Sequence, residues 1–258
     1  MEAQITWLQA AVLGIVEGFT EFLPISSTAH LILTANLLGI PQSEFTKTFE
    51  ISIQSGAILA VVVLYRKRFL HWESLKKIIV AFIPTGILGL AFYRVIKTIL
   101  FESMPVVLSS LAIGGLFLVI FEYVFKERDE APTIGEISYG KAVGIGIAQS
   151  VAMIPGISRA GATIVGGMLL GIRRELIVEF SFLLAVPTMF AATGLELLKN
   201  LHAFSKAEFH LLAIGFAISF VMAILGIKFF LGYIQRHTLS AFGIYRILLV
   251  AVVLLILR

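Results

Sequence analysis

Glu17 and Glu21 stand four residues apart within an apolar stretch, a spacing that places two carboxylates on one face of a helix about 6 Å apart. Like charges so close in apolar surroundings need a cation beside them or a proton on one of them. A hard divalent ion, Mg2+ or Ca2+, bound through one or two carboxylates and completed by phosphate oxygens, meets that need and makes Glu17 and Glu21 candidate metal ligands. Just beyond Pro24 come three hydroxyl residues, Ser26, Ser27 and Thr28. Where a helix begins, free N–H groups and the positive dipole end attract anions, so this run reads either as a phosphate-binding turn or as a plain serine cap. His30 lies three residues past Ser27, on the same helical face, where an imidazole can give or take a proton. His71, His202, His210 and His237 fall in or near loops instead.

A second cluster reads Pro155-Gly156-Ile157-Ser158-Arg159-Ala160-Gly161-Ala162-Thr163. Its glycines let backbone approach a ligand closely, and Arg159 brings a cation into apolar surroundings. Arg173 and Arg174 follow Gly171. A planar guanidinium can clamp two phosphate oxygens or snorkel to the membrane surface, and spacing alone does not separate these readings for Arg174. Glu50 and Glu179 begin apolar segments beside the two clusters, as partners for their hydroxyls or arginines or as plain helix-start charges. Glu122, Glu196, Lys228 and Arg246 lie near segment ends, where snorkelling or pairing accounts for them.

The elements that must position these residues are membrane helices. Hydrophobic residues make up 59% of the 258 and charged residues only 14%, with a mean hydropathy of +0.99, whereas soluble domains are about a quarter charged. Apolar segments at Phe49–Tyr65, Ile78–Ile96, Met104–Phe125, Leu176–Leu198, Phe209–Gly232 and Leu239–Leu257 predict six spans, near the length of about 20 residues that a bilayer requires. Four further pieces, Thr6–Leu23, Thr28–Leu38, Val143–Ile154 and Ala160–Leu170, are cut by Pro24, Gly39, Pro155 and Gly171. Broken helices at membrane depth survive only where protein or a wet cavity satisfies their backbone, so these pair into two re-entrant hairpins.

The halves match. Leu37-Leu38-Gly39-Ile40 recurs as Leu169-Leu170-Gly171-Ile172, 132 residues on, and Gly14-Ile15 recurs as Gly146-Ile147. Pro24-x-x-Ser27-x-Ala29 recurs as Pro155-x-x-Ser158-x-Ala160 at an offset of 131, and Glu50-Ile-Ser52-Ile as Glu179-Phe-Ser181-Phe at 129. The expected fold is all-α and polytopic, one membrane domain over 1–258 with repeat 1 at about 1–130 and repeat 2 at about 138–258. Each repeat holds one re-entrant helical hairpin plus three transmembrane helices, and an odd number of crossings inverts the second copy. Ser27 and Ser158 should then meet near the midplane. Nine loop cations (Arg66, Lys67, Arg68, Lys76, Lys77, Lys126, Arg128, Lys141, Arg236) fall on one side against six (Lys47, Arg94, Lys97, Lys199, Lys206, Arg258) on the other. The positive-inside rule therefore puts both termini, and the mouth of the first hairpin, outside.

Without cysteine there is no disulfide frame, thiolate metal site or cysteine nucleophile. The net charge of +4 sits mostly on short loops, which suits an anionic leaflet, and no basic face interleaved with aromatics points to nucleic acid. Glu2 and the lack of a basic opening argue against a cleaved signal peptide. Inverted repeats with broken helices also suit a secondary transporter or lipid flippase; phosphate release in detergent, where no gradient exists, separates enzyme from transporter. A non-catalytic scaffold leaves the buried charges without a purpose.

The run Glu17-Gly18-Phe19-Thr20-Glu21-Phe22-Leu23-Pro24-Ile25-Ser26-Ser27-Thr28-Ala29-His30 resembles the bacterial undecaprenyl-diphosphate phosphatase family, also called bacitracin-resistance proteins. Pro155-Gly156-Ile157-Ser158-Arg159 and Glu179-Phe180-Ser181-Phe182-Leu183-Leu184-Ala185-Val186-Pro187 resemble it too, and the likeness extends over essentially the whole chain. It implies a divalent-metal-dependent hydrolase of the cell inner membrane, whose opening the loop charges put on the outer, periplasmic face. The implied reaction takes undecaprenyl diphosphate to undecaprenyl phosphate and inorganic phosphate, recycling the carrier for peptidoglycan synthesis. A polyprenyl diphosphate and membrane lipid are the implied partners, and a homodimer stays open.

Matched residue by residue, the resemblance gives functional positions to Glu17, Glu21, Ser27, His30 and Arg174, while residue type and place in the two clusters make Ser26, Thr28, Ser158 and Arg159 candidate substrate-binding residues. Ala29, Ala160 and Arg173 depart from it, standing where glycine, serine and serine are found. The implied chemistry is attack by Ser27 assisted by His30, with Glu17 and Glu21 holding metal and Arg174 stabilising charge on the transferred group. A metal-activated water, with His30 protonating the leaving group, is the alternative.

Overall fold

The computed structural model describes residues 5–41, 43–96, 100, 103–125, 133–199 and 209–256. Glu2, Lys97, Lys126, Arg128, His202, Lys206 and Arg258, named above, lie outside the described residues. The helices are α1 (Trp7–Thr20), α2 (Ser27–Leu37), α3 (Glu44–Leu64), α4 (Arg66–Phe69), α5 (Trp72–Val95) and α6 (Met104–Val124), then α7 (Tyr139–Ser150), α8 (Arg159–Leu169), α9 (Arg174–Lys199), α10 (Phe209–Ile234) and α11 (Ser240–Ile256). Among the described residues there is no strand, so the protein is all-α as its sequence predicts.

Five helices, α3, α5, α6, α9 and α10, are long and apolar enough to cross a bilayer, and α11 is a shorter apolar helix of 17 residues. Side chains that a soluble protein would bury point outward: Leu90, Ile113 and Leu255 are 69%, 68% and 70% exposed. Lipid is the solvent that tolerates such a surface, and the protein is a multi-pass membrane protein.

Apart from the single turn α4, the four short helices pair as α1 with α2 and α7 with α8. With 14, 11, 12 and 11 residues, and about 1.5 Å of rise per residue, none spans a hydrocarbon core of about 30 Å. α1 opens on a capping box: Gln9 N donates to Thr6 Oγ1 at 3.2 Å and Thr6 N to Gln9 Oε1 at 2.8 Å.

The inbound helix of each hairpin packs on the other half of the chain, α1 on α10 and α7 on α5. Small residues make the approach possible: a Cβ on Gly18 would lie 2.2 Å from the Ser219 carbonyl oxygen, and one on Gly146 2.0 Å from that of Ala81.

Local geometry places the two hairpins in register at one offset. Ser26 and Ser158 both cap a helix at positive φ, 70° and 80°. Gly39 and Gly171 both end one at positive φ, 64° and 81°. Ser26 Oγ accepts from Ala29 N, as Ser158 Oγ does from Gly161 N. Every pair is 132 apart, so Ser158 matches Ser26 rather than Ser27, and Arg159 matches Ser27. The offset of 131 drawn from the prolines is corrected: Pro24 and Pro155 sit one residue out of register within the turns.

Candidate active site

The hairpin tips touch. Ser158 Oγ donates to the Leu23 carbonyl at 3.4 Å, and a Cβ on Gly161 would lie 3.6 Å from Pro24 Cβ. Beside this junction lies a cavity of about 240 Å³. Glu21, Ser26, Ser27, Thr28, Gln54, Ser158 and Arg159 give it polar walls, and Ile96, Met153 and Met189 are among its apolar ones. As expected, Ser27 and Ser158 come to one cavity although 131 residues separate them. The first turns of α2 and α8 both line the cavity, so two sets of free N–H groups and two positive dipole ends favour an anion there.

Glu21 is the hub. Its Oε2 accepts a short hydrogen bond from Ser27 Oγ, while Oε1 accepts from Arg159 Nη2 at 3.1 Å and Nε at 3.3 Å. Arg159 is steadied on its other edge, where Nη1 donates to the Ser181 carbonyl at 2.9 Å and to Ser181 Oγ at 3.3 Å. Its guanidinium also faces the Phe22 ring, 5.7 Å from the centroid. Held from two sides, the guanidinium has little rotamer freedom to lose when an anion binds. Serine at positive φ carries strain of order 1–3 kcal/mol; at Ser26 and Ser158 it falls on the two turns that aim Ser27 and Arg159 into the cavity.

Glu17 is wholly buried, and no described donor reaches either of its carboxyl oxygens. It faces the carboxyls of Glu21 and Glu50, with Arg159 as the nearby cation. Glu17, without a hydrogen-bond partner among the described residues, lies beside Glu21, whose carboxylate is already taken by Ser27 and Arg159, so the donors fit a proton or a hard cation at Glu17. Among the described residues no group of three or more metal-binding side chains converges. A cation would therefore take its remaining ligands from phosphate and water, as Mg2+ commonly does.

His30 stands differently from its expectation. Nδ1 meets the Ser26 carbonyl at 2.7 Å and so carries the proton, which leaves Nε2 to accept from the Tyr245 hydroxyl at 2.8 Å. The two rings stack, 5.6 Å between centroids. Residues i and i+3 on a first turn share a face, yet Ser27 turns to Glu21 while His30 turns to α11. The group placed on the Ser27 hydroxyl is thus the Glu21 carboxylate.

The expectation that Arg174 enters this cavity is corrected. Arg174 Nη1 and Nη2 donate to Glu122 Oε1 and Oε2 at 2.7 and 2.9 Å, a bidentate pair, and Leu239 N adds a third bond to Glu122 Oε1. Between Arg159 and Arg174 runs α8, whose 11 residues rise about 16 Å away from the hairpin tip. Arg174 therefore ties α9 to α6 and to the start of α11, and Arg159 is the guanidinium of the cavity. Arg173 lies with Arg68 and Glu179 in a separate pocket of about 120 Å³, where Arg68 pairs with Glu179 at 2.6 Å.

Sequence reasoning passed over Gln54, Ser181 and Tyr245. Gln54 carried a usable signal, an uncharged polar residue inside an apolar span, and Ser181 stood within a repeated motif. Tyr245 had none, because which residue of α11 faces His30 depends on packing.

Residues 10–252 match the family described as Bacitracin resistance protein BacA. The chain is 52% identical over 246 residues to the undecaprenyl-diphosphatase of Sulfurihydrogenibium sp. (strain YO3AOP1), covering 95% of this chain and 97% of that protein. It is 51% identical to that of Aquifex aeolicus (strain VF5), covering 95% and 96%, and 42% identical to that of Methanococcus aeolicus, covering 96% and 97%. With hairpin motifs, membrane helices and near-complete coverage in agreement, the chain belongs to the Bacitracin resistance protein BacA family.

Proposed function

We propose that the chain is an integral membrane phosphatase that hydrolyses undecaprenyl diphosphate to undecaprenyl phosphate and inorganic phosphate, recycling the lipid carrier for cell-wall synthesis. The observation that carries the chemistry is the Ser27 hydroxyl donating to a Glu21 carboxylate that Arg159, from the other hairpin, holds by an ion pair. An ionised carboxylate in hydrogen-bond reach is a general base for a serine nucleophile. In this reading Ser27 Oγ attacks the terminal phosphorus as its proton passes to Glu21. The bond from that phosphorus to the bridging oxygen breaks, and undecaprenyl phosphate departs, taking the proton. Water, yielding a proton to Glu21, then attacks the phosphoserine phosphorus; the bond from phosphorus to Ser27 Oγ breaks, Oγ takes that proton back from Glu21, and inorganic phosphate leaves.

Arg159 and the N–H groups at the starts of α2 and α8 are placed to stabilise the equatorial oxygens. Glu17, with Glu21 and Glu50 nearby, would hold a divalent cation, which when bound supplies charge neutralisation to the diphosphate. His30, fixed between Ser26 and Tyr245, orders the first turn of α2 that presents Ser27.

The loop charges support an outward-facing mouth in the cell membrane, and the shared backbone of the hairpins supports an inverted repeat. Ile96, just past α5, and Met189, within α9, give the cavity an apolar side by which an isoprenyl chain can lie in lipid. The reading is tested by phosphate release from an isoprenyl diphosphate by purified protein in detergent. Ser27→Ala should abolish release, and release unchanged in that variant would hand the attack to water. A transporter would release none.

A further inference from the structure

Arg246 sits in α11, where its sequence position suggests a guanidinium snorkelling to the membrane surface. Instead it is 1% exposed. Nη2 donates to the carbonyls of Gly156 at 2.5 Å and Ser110 at 3.1 Å, and Nη1 to that of Ile157 at 3.0 Å. Among the described residues it forms no ion pair, and its Nε has no hydrogen-bond partner. The fold makes room for it: a Cβ on Gly114 of α6 would lie 2.3 Å from Nη2 and 2.9 Å from Cζ.

A buried cation with no counter-charge is expensive, and an apolar side chain would join α6 to α11 at lower cost. What the guanidinium grips accounts for its presence. Gly156, at φ +98°, and Ile157 form the non-helical turn directly before Ser158 and Arg159, and the carbonyls of this turn lie outside α8 without helical partners. Arg246, which does not itself line the cavity, satisfies both and ties the same turn to α6 through Ser110.

We propose that Arg246 is a positioning residue of the phosphatase site: by fixing the Gly156–Ile157 carbonyls it sets the direction in which Ser158 and Arg159 enter the cavity. The inference rests on the reading of Arg159 as a phosphate contact. Arg246 neither lines the cavity nor bonds to Glu21, so its effect passes through the turn that carries Arg159.

A double-mutant cycle tests this. Arg246→Lys keeps the charge but loses the fork that spans three carbonyls; in folded protein kcat/KM should fall about 10- to 100-fold, the scale of an ångström-level misplacement. Inhibition by inorganic phosphate should weaken as well. Arg159→Lys should be slower still, and the double variant no slower than Arg159→Lys alone. Losses that multiply, or Arg246→Lys with the parent rate and phosphate inhibition, would overturn the proposal. Arg159→Lys at the parent rate would instead overturn the reading of Arg159. If Arg246→Lys does not fold, Gly114→Ala, which displaces the guanidinium without removing it, takes its place in the same cycle.

Discussion

In the first hairpin the residue after the positive-φ serine is Ser27, and in the second it is Arg159. Along the inbound helices the same register sets Glu17 against Gln149 and Glu21 against Met153. The backbone turns, caps and glycine stops agree on both sides, but one side carries carboxylates and a hydroxyl and the other a cation and a neutral amide. A fold that presents two helix starts to one cavity has two anion-binding ends; proton transfer and nucleophilic attack need only one set of groups. In the proposed reaction the first hairpin supplies the reacting groups, and the second neutralises and orients.

Exchanging chemistry at matched positions breaks or sharpens that division. Glu21→Gln removes both the proton acceptor of Ser27 and the anchor of Arg159 while keeping shape, and should cost about 10³–10⁴ in turnover, the upper range for a general base. Met153→Gln, its counterpart on the cavity wall, should leave turnover close to the parent. Equal losses would abolish the distinction between the hairpins. A smaller effect is expected at the second matched pair. Gln149 Nε2 donates to Thr85 Oγ1 and Thr188 Oγ1, both at 3.0 Å, so it fastens α7 to α5 and α9. Gln149→Leu should lower thermal stability in detergent by about 1–3 kcal/mol, with folded molecules still turning over. A rate loss without a stability loss would assign Gln149 to the chemistry. Smallest is Tyr245→Phe, which leaves His30 Nε2 without its donor; a fall of under about tenfold in rate is expected, on the scale of one hydrogen bond. A loss matching Ser27→Ala would return His30 to proton transfer.

Much of this was legible before any coordinates, because membrane helices are written in runs of apolar residues and broken ones in Pro and Gly. Each predicted span lies within a few residues of a helix, from α3 against Phe49–Tyr65 to α11 against Leu239–Leu257. Glu21, Ser26, Ser27, Thr28, Ser158 and Arg159 were named from type and spacing and share one cavity. What spacing could not give was direction. Fifteen residues separate Arg159 from Arg174, and only the knowledge that α8 runs away from the tip sends the second to Glu122. His30 shares a helical face with Ser27, but its bond is to a tyrosine 215 residues on. Arg246 looked like a surface cation because a linear segment does not reveal that its neighbours are carbonyls of another element.

The composite site stands or falls on which guanidinium serves it, and the direct measurement is phosphate release by folded Arg159→Lys and Arg174→Lys side by side. A point ammonium cannot reproduce the bidentate geometry of either residue. With Arg159 in the cavity and Arg174 tied to Glu122, Arg159→Lys should lose about two to three orders of magnitude in rate, and Arg174→Lys should lose stability while its folded fraction works near the parent rate. The reverse pattern, an inert Arg174→Lys beside an active Arg159→Lys, would contradict the joining of the two hairpins into one active site.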